Sequence, residues 1–197
     1  MPSHLLKVPA LLLLCSLCAC KSLQHSNATP PPAEPETAEK SPADLQTRNN
    51  ALALLDDLLN DEKNLSKILI IKRNSDELGR LVENISKTAG KGADSLESLA
   101  KSEPGLDLKK TDLPPGEIAT RKAISKTKEH ELLHSKDAEF EFQLLLTQAE
   151  ALNYGSHLCM VVAENESQAG RTREFLELGA QLRNLREQVV AMLRSRK

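Results

Sequence analysis

Beyond residue 45, apolar side chains recur at steps of three and four, and no stretch alternates apolar with polar long enough to make a strand. Over residues 51–73, Leu52, Leu55, Leu58, Leu59, Leu65, Ile68 and Leu69 share one stripe, which predicts a helix of about six turns. Asn74 lies three residues ahead of Glu77 in a capping-box arrangement that starts a second helix. Its apolar positions are Leu78, Leu81, Val82, Ile85, Ala89, Gly92, Leu96 and Leu99, and the small Ala89 and Gly92 admit a close neighbour. Pro104, Pro114 and Pro115 punctuate a long polar joint, after which residues 115–134 form a short polar helix. A third long helix, starting at Ser135 or Asp137, carries Phe140, Leu144, Leu145, Gln148, Leu152, Leu158 and Val162 on its buried stripe. Asn165 and Gln168 occupy capping positions before the last helix, which aligns Phe175, Leu178, Leu182, Leu185, Val189 and Met192. Arg194, Arg196 and Lys197 suit the negative end of its dipole. Four long helices and a short one predict an all-α, up-and-down four-helix bundle over residues 45–197.

The preceding residues have a different pattern. One Lys precedes an apolar run from Val8 to Ala19, too short to span a bilayer and of the length of a signal-peptide core. The run closes on Leu17-Cys18-Ala19-Cys20, which resembles the bacterial lipobox. That resemblance implies removal of residues 1–19, acylation of Cys20 and attachment to a membrane through lipid. By the same analogy, Lys21 in place of Asp points to the outer membrane, facing the periplasm. Residues 20–44 then read as a tether. The five prolines of 22–44 accompany almost no large apolar side chain, and some twenty such residues reach roughly 60 Å at full stretch. Once Cys15 and Cys18 are removed and Cys20 is acylated, Cys159 stands alone in an apolar helix as a small core residue, with no internal disulfide to form.

In its order of helices, and in the segments "LESLAK", "AEFEFQLL" and "LRNLREQVVAML", the stretch from Asn50 to Leu193 resembles the secreted ferritin-like bundles of a bacterial domain family of unassigned function. The resemblance implies a ferritin-like fold, with histidines in relatives near the positions held here by Ala89, Leu152 and Gln188. Di-iron bundles also want Glu on two helices and Glu-x-x-His on two more, whereas the sole Glu-x-x-His here is Glu131 to His134. The expectation is a ferritin-like shape without its metal chemistry.

His130-Glu131-Leu132-Leu133-His134 is an H-E-x-x-H sequence, which on a helix sets two imidazoles on one face beside a carboxylate. A zinc peptidase would need a third ligand and an open position for water. The metzincin continuation fails at Asp137 and Phe140, and the downstream carboxylates Glu150, Glu164 and Glu166 are available by number alone. The alternative is an exposed helix, with Leu132 and Leu133 turned toward the bundle and the histidines at its rim. Net charge is −2 and aromatic rings are scarce, which excludes nucleic-acid binding. The glycines are scattered and build no phosphate loop, and no Ser-centred elbow is present. The expectation is therefore a non-catalytic interaction or structural module of the bacterial cell envelope, with a protein partner, no cofactor and no identified small-molecule substrate. The alternative is a ferritin-like metal-binding or oxidant-handling protein using His130, Glu131 and His134.

Overall fold

The computed structural model describes residues 40–70 and 75–196. The signal peptide expected over 1–19, Cys20 and all but the end of the tether over 20–44 lie outside the described residues. Within them the secondary structure is helical: α1 (Pro42–Glu62), a 3-10 helix (Leu65–Ile70), α2 (Asp76–Ser102), α3 (Pro115–His134), α4 (Asp137–Asn165) and α5 (Ala169–Ser195). The all-α bundle expected from the apolar spacing is the architecture found.

Local chemistry moves several boundaries. Helix α1 starts inside the expected tether, because Ser41 and Asp44 form a reciprocal capping box and Pro42 at the first position fixes a helical φ. The long first helix divides at Lys63. Asn60 and Asn64 donate their side-chain amides to the carbonyls of Asp56 (2.7 Å) and Asn60 (2.8 Å), drawing the last turn into 3-10 geometry. Ser86 of α2 holds the break, donating to Glu62 O (3.2 Å) and accepting from Ser66 N (3.1 Å). The cap of α2 is Ser75, which accepts from Leu78 N, one residue on from the expected Asn74. Asn165 ends α4 and does not cap α5. There Glu166 Oε1 accepts from the backbone of Ser167 (2.8 Å) and Gln168 (3.0 Å).

Helices α1, α2, α5 and α4 enclose the core in that cyclic order, with α4 against α5 as the most extensive contact. Fully buried Leu52, Leu55, Leu59, Leu78, Ile85, Leu96, Phe140, Leu144, Leu145, Leu152 and Val162 fill it. Gly92 makes room as its small size implied, since a Cβ there would meet Leu59 Cδ1 at 2.9 Å and Leu178 Cδ2 at 3.3 Å.

Polar contacts fix the directions. Arg48 near the start of α1 bonds Glu103 just past the end of α2 and Glu166 just past the end of α4, while Arg171 in the first turn of α5 also bonds Glu103. At the opposite pole Glu141 of α4 accepts from Ser75 N ahead of α2 and pairs with Arg196 beyond α5. Helix α3 starts at the Arg48 pole, where Asp112 bonds Asn50 and Gln46. It ends at the other pole, where α4 begins. The five helices thus alternate in direction along the chain, and α3 makes its passage outside the four-helix core as a long crossover.

Candidate functional site

Helix α3 is amphipathic only weakly and buries a single described residue, Leu132. Leu133, expected to turn inward with it, is 41% exposed, and Ile118 and Ile124 are about half exposed. The helix is held to the bundle by polar contacts: Arg121 donates to Tyr154 Oη (2.9 Å) and lies over its ring, and Lys128 pairs with Glu150. Exposed pairs of this kind stabilise by at most about 1 kcal/mol each. The helix is therefore a strap over the α1–α4 face, with open space along both sides.

On one side a cleft of about 670 Å³ lies between α3, the α1 carboxylates Asp56, Asp57 and Asp61, and the joint from Leu108 to Leu113. Lys109 reaches into it and pairs with buried Asp56 at 2.8 Å, a bond that raises the lysine pKa. On the other side a groove of about 790 Å³ runs between α3, the end of α1, the 3-10 helix and α4. Leu65, Ile68, Ile124, Leu132 and Ala151 give it apolar walls, and Glu62 and Gln148 stand in its lining.

Glu62 and Gln148 are both buried, with the Gln148 amide bonded to the Glu62 carboxyl. Burial pushes the Glu62 pKa up to about 7; the Gln148 hydrogen bond opposes the shift and nearby Asp61 adds to it. Glu62 Oε2 and Gln148 Oε1 have no hydrogen-bond partner. Apolar spacing puts Gln148 on the core stripe of α4 and leaves Glu62 unmarked. The signal was present, since Glu62 follows Leu59 at the next step of the α1 stripe.

His130, Glu131 and His134 fall on the last turns of α3, all three exposed. The His130 and His134 rings stack with centroids 4.0 Å apart, and His134 Nδ1 sits 2.8 Å from the carbonyl oxygen of His130. None of the three downstream carboxylates joins them: Glu150 pairs with Lys128, Glu164 lies near Lys40 at the far pole, and Glu166 is buried with Arg48. Among the described residues no group of three or more His, Cys, Asp or Glu side chains is placed to hold a metal ion.

The remaining sequence candidates take core or surface positions. Ala89 and Leu152 are buried in the core, and exposed Gln188 bonds Asn184. Cys159 is buried against α5, and burial pushes its thiol pKa up to about 12, which leaves it inert as a nucleophile. No helix among the described residues is long and apolar enough to cross a membrane. Comparison with protein-family models, curated proteins and solved structures finds no match to this chain.

Proposed function

We propose that this chain is a non-catalytic, lipid-anchored interaction module of the bacterial cell envelope, which takes a protein partner in the groove beneath α3. One observation carries the reading. A 20-residue helix buries one side chain and leaves Ile124 and Leu133 exposed beside apolar-walled space, with Ile118 exposed over the cleft on its other side. A strap so weakly packed can shift to admit a partner at little cost to the core. The lipobox-like Leu17-Cys18-Ala19-Cys20 supplies the anchor in this proposal, and the Pro-rich segment supplies reach. A ferritin-like metal or oxidant role draws support from the crossover connectivity alone, and the exposed His130–His134 pair offers it two ligands on one helix face.

Membrane fractionation combined with photo-cross-linking of the full chain in its own envelope tests the proposal. Wild type fractionates with membrane, and Cys20→Ser releases it. A cross-linking residue at position 124 gives a discrete protein adduct, and the same residue at exposed position 187 on α5 does not. Retention of Cys20→Ser in the membrane, or identical adducts from both positions, overturns the reading.

A further inference from the structure

Two orphaned oxygens, shielded from water on side chains that line the groove, specify a ligand chemistry. Glu62 Oε2 and Gln148 Oε1 are both acceptors, one belongs to a carboxyl group, and neither meets a donor. An acceptor withdrawn from water without a donor carries a standing penalty that a donor-bearing ligand removes. The complement is a group that is cationic and donates at least two hydrogen bonds. The charged residues lining the groove are Asp61, Lys67, Arg121, Lys128, Glu129 and Glu150, which with Glu62 leave an excess of one carboxylate. Two of the cations are already engaged, Lys128 by Glu150 and Arg121 by Glu117 and Tyr154. Aliphatic Leu65, Ile68, Leu132 and Ala151 line the same groove as Glu62 and Gln148. An aliphatic stem ending in an ammonium matches both parts of such a site.

We propose that Glu62 and Gln148, turned toward the groove from their buried positions in its lining, form the polar end of a binding site for a primary alkylammonium group, whose N–H bonds then reach Glu62 Oε2 and Gln148 Oε1 while its methylenes lie on the apolar walls. A lysine side chain of a partner and a free aliphatic amine share this chemistry. The inference deepens the groove reading above and rests on it. Recognition is electrostatic as well as geometric, because the ionised form of Glu62 is the one that attracts the ammonium.

The test is an NMR titration of the full chain in detergent micelles with n-butylammonium chloride, following the Glu62 side-chain carboxyl carbon. The controls are n-butanol, which keeps the stem without the charge, and tetramethylammonium, which keeps the charge without N–H donors. The expected result is saturable one-to-one binding of butylammonium, with both controls at least about tenfold weaker. Affinity rises about tenfold per pH unit below pH 7 and levels off above it, as Glu62 ionises. Glu62→Gln removes that pH dependence and weakens binding at least about tenfold, read on neighbouring amide resonances. Gln148→Met weakens it with Glu62 in place, which keeps the test intact if the first variant folds poorly. Lysine with blocked termini binding more tightly than butylammonium identifies a protein side chain as the natural source, and 1,5-diaminopentane binding more tightly identifies a free amine; either supports the site. Absence of saturable binding, or binding unchanged in a folded Glu62→Gln chain, overturns it. A failed amine titration beside a positive position-124 cross-link rejects this inference and leaves the interaction module standing.

Discussion

Glu62 occupies a position where the α1 stripe calls for a leucine, and its carboxyl is more than nine-tenths shielded from water. A raised pKa in the folded state has a fixed thermodynamic sign. Below about pH 4.5 the group is protonated in folded and unfolded chains alike, so it does not discriminate between them. Between 4.5 and about 7 the unfolded chain releases the proton while the folded chain keeps it, and stability falls as pH rises. Above 7 the loss is complete, and a shift of this size corresponds to roughly 3 kcal/mol. Thermal melts of wild type and Glu62→Gln from pH 4.5 to 8.5 check this. The variant melts at a similar temperature near pH 5 and roughly 5–10 °C higher above pH 7.5, because its amide donates to Gln148 Oε1 without a buried charge. Parallel melting curves at all pH values would contradict it. Asp61 is displaced in the same direction by burial and by Asp57, so a small slope persists in the variant.

At the scale of helices, the apolar steps of three and four located every long element, because core burial decides those positions. The divide at Lys63 was not legible. Leu65, Ile68 and Leu69 keep the helical beat through the break, and only the side-chain amides of Asn60 and Asn64 and the Ser86 hydroxyl across the gap end α1 there. The candidate groove escaped for a related reason: it is made of gaps between elements, and periodicity describes faces. Interhelical distance is also invisible in spacing, yet it sets what a glycine tolerates. At Gly179 a Cβ would meet Cys159 Cβ at 3.1 Å and the Ser156 carbonyl oxygen at 3.3 Å, neither of them a flexible tip. Gly90 faces only Lys63 Cβ at 3.9 Å. Gly90→Ala is expected to stabilise by about 0.5–1 kcal/mol through helix propensity, and Gly179→Leu to destabilise by about 2 kcal/mol by forcing α4 and α5 apart. Urea denaturation midpoints decide both. The strap has its own signature in hydrogen exchange: amides of α3 exchange through local opening, well before those of α4 and α5, which open with the core.

For the whole molecule, the decisive contact is the charge cluster at the pole where four helices meet. Arg48 binds Glu166 at 3.1 Å and also Glu103, while Arg171 reaches Glu103 at 2.8 Å, and the Glu166 side chain is wholly inaccessible to solvent. One guanidinium therefore ties the beginning of α1 to the ends of α2 and α4, and Glu103 extends the tie to α5. Both orientation and closure of the bundle pass through it. Such a cluster adds little net stability over an apolar replacement, because both partners were dehydrated to form it. Removing one partner is different, since the other charge stays buried. Arg48→Met is thus expected to destabilise by about 3 kcal/mol, and the Arg48→Met, Glu166→Leu pair to recover most of that loss. A double-mutant cycle in urea measures the coupling. If the pair is as unstable as the single variant, the arginine acts through Glu103 and the backbone ends it orders. In that case Glu103→Gln reproduces the loss that Glu166→Leu fails to relieve.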